Sequence, residues 1–239
     1  MGNERIPLYR GSREEAEQYG DADRWDRSFR ENICCAGDIE RSIRSGGEAD
    51  LVLERYGLNR TMYVLAHSVK TSDPGTAFSE SCRNWSAEVR TRSDQKYGRY
   101  FRVDARPRDL EVFIEKVQAA FHDLGLFDRE YCDPGLWDAD LVGRVLVLSP
   151  DSLKEEAWTE TNQLWLASGG FGCRPNARGR AVYAVCLGDG EEARWNRSDF
   201  LGVLDERYLP DWARQKLDKL RLREQKPVES QTMSGMEMC

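Results

Sequence analysis

The sequence predicts an α+β protein: a helix-rich N-terminal region followed by a small antiparallel β-sheet closed by a C-terminal helix. Three observations lead there. Apolar residues recur at three- and four-residue steps through much of the first 126 positions, the spacing of a helix face. After about residue 140 they come instead in short runs separated by turn residues, the spacing of strands. Helical patterns precede strand patterns without the alternation that builds a parallel sheet.

The first helix is predicted from about Asp23 to Ser45, where Trp25, Phe29, Ile33, Ala36, Ile39 and Ile43 form one stripe. Gly46-Gly47 ends it. A short helix follows from Asp50 to Tyr56 and stops at Gly57. Asn59 is placed to cap a third helix bearing Met62, Leu65, Ala66 and Val69, because its side chain accepts an orphan backbone N–H. Ser72-Asp73-Pro74-Gly75 breaks that helix. A short helix around Trp85 and a strand from Tyr100 to Val103 come next. Pro107 opens the clearest stripe, carried by Leu110, Phe113, Ile114, Val117, Phe121 and Leu124, and Gly125 closes it. Strands are predicted at Val145–Leu148, Gln163–Ala167 and Ala181–Leu187, with a fourth or an edge at Arg194–Phe200. A last helix starts at Pro210, with Trp212, Ala213, Leu217 and Leu220 inward. The organisation that follows is a helical domain (1–126), an acidic connector (127–143), a β-plus-helix domain (144–222) and a polar tail (223–239) expected to be disordered.

The net charge of −7 is concentrated in one place. Between residues 121 and 170 ten acids face only three bases. Such a block repels a phosphate backbone and attracts basic surfaces. Within it Asp123, Asp128, Glu130, Asp133, Asp138 and Asp140, with Phe127, Tyr131 and Trp137 as apolar anchors, form a candidate surface for a basic protein partner.

The stretch GGFGCRPNARGRAVYAVCLGDGEE, residues 169–192, raises the question of a phosphate-binding loop. No lysine lies between Lys154 and Lys216, and the glycines precede a strand, so neither the Walker nor the dinucleotide context is present. Hairpin turns that need glycine are the better reading. Arg174, Arg178, Arg180, Arg194 and Arg197 fall in and after that hairpin, with Trp165, Tyr183 and Trp195 nearby. Guanidinium groups grip phosphates and aromatic rings stack on bases, so this is the alternative, nucleic-acid-binding, site.

No catalytic constellation assembles from the sequence. His67 is placed on the helix face away from Met62, Leu65 and Val69, and Cys35 lies in a helix; an enzyme site near the two is the least favoured reading. Seven cysteines without a CxxC spacing and two histidines in all argue against a metal site, and no cofactor is expected. A charged N-terminus and the lack of any run of roughly 20 apolar residues lead to an expected cytoplasmic location with reduced thiols and no membrane partner.

The segments LYRGSREEAEQYGDADRWDRSFRENICCAGDIERSI and YGLNRTMYVLAHSVK carry Tyr9, Arg27, Ser28, Asn32, Cys35, Arg60, Tyr63, Val64, Leu65 and Ala66 in a pattern that resembles a domain family of unknown function found in conjugative and other mobile elements of anaerobic gut bacteria. The segment LWLASGGFGCRPNARGRAVYAVCLGDGEEARWNRSDFLGVL, with LPDWARQKL after it, resembles a companion region of similar proteins. The resemblance implies a mobile-element accessory protein and supplies no catalytic residues. The function expected from it is counter-defence: binding a host nuclease, of CRISPR or restriction type, through a basic surface.

Overall fold

The computed structural model describes residues 5–46, 48–73, 75–91, 97–177 and 180–224. The chain is α+β and forms two compact units. The first comprises residues up to Leu126 together with Pro150–Thr159, and the second Phe127–Ser149 together with everything from Glu160.

The first unit is helical. Helix α1 (Arg13–Tyr19) is held by a capping box: Glu15 N donates to Ser12 Oγ at 3.1 Å and Ser12 N donates to Glu15 Oε2 at 3.0 Å. The apolar stripe of the sequence begins only at Trp25, so this short polar helix escapes a periodicity search. Helix α2 (Ala22–Ser45) matches its expected bounds, but its buried face is Trp25, Ser28, Asn32, Cys35, Ala36 and Ile39. Ile33 stands 39% exposed. Helices α3 (Asp50–Tyr56) and α4 (Leu58–Lys70) meet at Gly57, whose φ of +82° suits a residue without a side chain. Asn59 therefore lies inside α4 and is not its cap. Helix α4 is the centre of the unit, packing against α2, α3, α5 (Glu80–Glu88) and α6 (Pro107–His122), and almost every residue from Leu58 to Val69 is buried.

The strand expected at Tyr100–Val103 is instead a 3-10 turn, Gly98–Phe101, followed by extended chain. Phe101 and Val103 are buried in the helical core, and the Phe101 ring stacks on Tyr63 with centroids 5.9 Å apart. Alternating burial here reflects packing onto helices, and among the described residues no strand pairs with it. Residues 150–159 also join this core through Trp158, which meets Phe121 edge-on at 5.6 Å.

The second unit is a six-stranded antiparallel sheet in the order β1-β6-β2-β3-β4-β5, with helices α7 (Glu160–Gln163) and α8 (Asp211–Glu224). The strands are β1 (Cys132–Asp133), β2 (Val145–Leu148), β3 (Leu164–Gly169), β4 (Ala181–Cys186), β5 (Glu192–Asn196) and β6 (Phe200–Leu204). The stretch expected as one strand at Arg194–Phe200 is thus two. A 3-10 turn at Arg197–Asp199 separates them, and β6 crosses to lie between β1 and β2. Phe127, Val147, Leu164, Leu187, Leu204, Ala213 and Leu217 form the core. Gln163, fully buried, stitches it: its Oε1 accepts from Phe127 N at 2.7 Å and its Nε2 donates to the carbonyls of Phe127 and Leu148. Residues 127–143 belong to this unit, and 225–239 lie outside the described residues.

Candidate functional site

The glycine stretch is a loop that presents an aromatic ring. A Cβ on Gly170 would stand 2.5 Å from the Ala181 carbonyl oxygen, and one on Gly172 would meet the carbonyls of Arg180 and Ala181 and the Val182 side chain. Both glycines are therefore needed for the loop to lie flat on β4. Gly170 packs beside the Tyr183 ring, its Cβ position 3.1 Å from Cδ2. Between the two glycines Phe171 is left 60% exposed, and Tyr183 is 51% exposed. The Arg174 guanidinium lies 4.3 Å from the Phe171 ring centroid. Tyr183 is paired with Arg194 across β4 and β5, while the alternate pair Val182–Trp195 turns to the other face. Tyr183 thus shares a sheet face with Arg194, while Phe171, Arg174 and Arg180 are exposed on the loop that leads into β4.

Arg197 does a different job. It is 2% exposed, and it donates to the carbonyls of Gly172 at 2.8 Å, Arg174 at 2.6 Å and Trp137. Its guanidinium also lies 4.8 Å over the Trp137 ring. It fixes the loop from beneath and is withdrawn from any surface. Arg178 lies outside the described residues. Trp165, expected as a stacking surface, is buried, donates its indole N–H to the Asn162 carbonyl at 2.7 Å, and meets Trp195 edge-on. Phe171 was not among the expected stacking residues. The signal for it was present: an aromatic between glycines has no neighbouring side chains to cover it.

The acidic segment is largely turn chemistry. Asp128, Asp133 and Asp140 each accept the backbone N–H two residues on, from Glu130, Gly135 and Val142 at 2.7–2.9 Å. Glu130, Asp138 and Asp140 are exposed. The three aromatics face inward. Phe127 is core, Tyr131 packs edge-on against Phe127 and Tyr208, and Trp137 lies under Arg197. Asp123 is exposed and belongs to the first unit. Two acids of 150–159 are also engaged: Asp151 pairs with Arg10 at 2.7 Å, and Glu155 accepts from Leu58 N and Asn59 N at 2.9 and 3.1 Å.

His67 and Cys35 are both fully buried. His67 stands on α4, packed on every side, its ring 4.2 Å from that of Phe101. Burial pushes the Cys35 thiol up to about 12, which opposes thiolate chemistry. Near them the residues that carry the family resemblance converge. Arg60, itself buried, donates to the carbonyls of Ser28 at 2.8 Å and Ile6 at 2.7 Å and to Asn32 Oδ1. Tyr9 N donates to Ser28 Oγ at 2.8 Å. These bonds strap the N-terminal segment across α2 and α4, and explain why α2 buries Ser28 and Asn32. Among the described residues no group of three histidine, cysteine or acidic side chains is arranged to hold a metal, and no helix is long and apolar enough to cross a membrane.

Residues 8–122 match the model of a family described as a protein of unknown function, DUF3849. The match takes in α1 to α6 and ends before residues 150–159 and the sheet-bearing unit. No curated protein and no solved structure matches the chain.

Proposed function

We propose that this chain is a binding protein of a mobile genetic element, and that it takes single-stranded nucleic acid on the arginine-and-aromatic face of its second unit. One arrangement supports this reading: Phe171 on the loop before β4 and Tyr183 on β4 are both exposed, and Arg174 and Arg180 on the same loop and Arg194 on β5 are exposed as well. Unpaired bases stack on such rings for about 1–3 kcal/mol each, and the guanidinium groups take the phosphates. The buried Arg197 holds the loop in place, so the rings are positioned before a ligand arrives.

The test is a titration of fluorescent single-stranded DNA and RNA oligonucleotides from low to high salt. Arg174→Ala and Arg194→Ala are each expected to lower the salt slope by about 1 and to weaken binding uniformly across sequences. Absence of binding at low salt would end the reading.

A second reading keeps counter-defence as the function, with a basic surface on a host CRISPR or restriction nuclease as the partner. The observation in its favour is that Glu130 and Asp138 are exposed and close no turn, while Asp128, Asp133 and the exposed Asp140 accept turn N–H groups. Its test is the double charge reversal Glu130→Lys and Asp138→Lys, two sites whose side chains cap no turn. Capture of such a nuclease should be lost with the melting temperature unchanged; undiminished capture would refute it. Both readings place the protein in the cytoplasm.

A further inference from the structure

Residues 150–159 lie beyond the matched family domain yet are held by the helical unit as a peptide would be. The segment is compact in itself. Trp158 Nε1 donates to the Pro150 carbonyl at 2.9 Å, and Ala157 N and Trp158 N donate to the carbonyls of Lys154 and Glu155. Leu153 packs on the helical core, and three further side chains make specific contacts. Asp151 takes Arg10 at 2.7 Å and the Arg90 backbone N–H at 3.2 Å. Glu155 spans the first two amides of α4 and reaches Arg5 at 3.3 Å. Trp158 enters the helical core beside Phe121.

The groups that receive them are positioned by the helical unit itself. Arg10 is also bonded to the Arg90 carbonyl and to Asn59 Oδ1, and its guanidinium lies 5.6 Å from the Tyr63 ring centroid. The α4 amides are orphan donors at a helix start, where a carboxylate is favoured. Gly57 leaves the carboxylate room: a Cβ there would stand 2.5 Å from Glu155 Oε2.

We propose that the helical unit carries a receptor site for an acidic peptide of the pattern Asp-x-x-x-Glu-x-x-Trp, and that Asp151, Glu155 and Trp158 are its built-in occupant. The inference is independent of the nucleic-acid reading and uses none of its residues. A partner displaying the same three side chains competes for the site when the built-in segment is weakened.

The test uses the full chain carrying Asp151→Asn, Glu155→Gln and Trp158→Ala, titrated with a labelled synthetic peptide of residues 149–160. Saturable binding at least tenfold tighter than to the unaltered chain is expected, and adding Arg10→Glu should abolish it. Equal binding to both chains, or none to the triple variant while its helical circular dichroism is intact, overturns the proposal. If the triple variant is unfolded, recovery of helical signal on adding peptide supports the site and failure to recover rejects it. The milder Asp151→Asn, Glu155→Gln chain gives a second readout. The peptide should raise its melting temperature and leave that of the unaltered chain where it was; no rise counts against the proposal.

Discussion

Cys34 and Cys35 are neighbours in sequence with opposite surroundings: the first is exposed and the second buried. Burial raises the Cys35 thiol to about 12, and those of Cys82 and Cys132 to about 11. Tyr56, whose hydroxyl donates to Asp38 at 2.6 Å, is raised to about 12, chiefly by burial. Each is an acid that ionises later in the folded chain than in the unfolded one. From pH 9 upward the unfolded state therefore holds fewer protons, and stability must fall as pH rises toward 12. Urea denaturation between pH 8 and 10.5 should show this decline, and Cys35→Ala should make it shallower. A flat profile would contradict the burial described for these groups. At the same scale, the stripe predicted for α2 is slightly turned from its buried face. The expected stripe chose Phe29 and Ile33 because they are apolar, whereas the structure buries Ser28 and Asn32 because Arg60 needs their oxygens. A partner 28 to 32 positions away leaves no trace in local periodicity.

At the scale of elements, the loop between β3 and β4 depends on one buried cation. Arg197 supplies the donors for three carbonyls, two of them in the loop that carries Phe171. Arg197→Ala should cost about 3 kcal/mol, since it strands buried acceptors as well as removing charged hydrogen bonds. Equilibrium urea unfolding measures it, and a loss under about 1 kcal/mol would mean the loop is held otherwise. The helices α2, α3 and α6 were legible from stripes and stop signals, and β2, β3 and β4 from short apolar runs between turns. What escaped has physical causes. Helix α1 is polar, the chain around Phe101 is extended without a strand partner, and β6 pairs with β1 and β2 across many residues of intervening sequence. Of the alternative site, Arg174, Arg180, Arg194 and Tyr183 are legible in the sequence and exposed in the fold. The inward turn of Arg197 is not legible there, because strand register and loop packing set it.

For the whole molecule, the acidic block that dominates the charge is divided in the fold. Asp151 and Glu155 serve the helical unit, while Asp128, Asp133 and Asp140 close turns in the sheet unit. Charge that looks like a docking surface in sequence is thus partly architecture. The proposed recognition by the sheet unit rests on the exposed rings of Phe171 and Tyr183. The direct measurement is fluorescence anisotropy of a labelled single-stranded oligonucleotide at low salt, with the unaltered chain and the Phe171→Ala, Tyr183→Ala double variant compared side by side. Binding by the unaltered chain, weakened at least tenfold in the double variant with the salt slope preserved, is the expected result; equal affinity for both chains would contradict it.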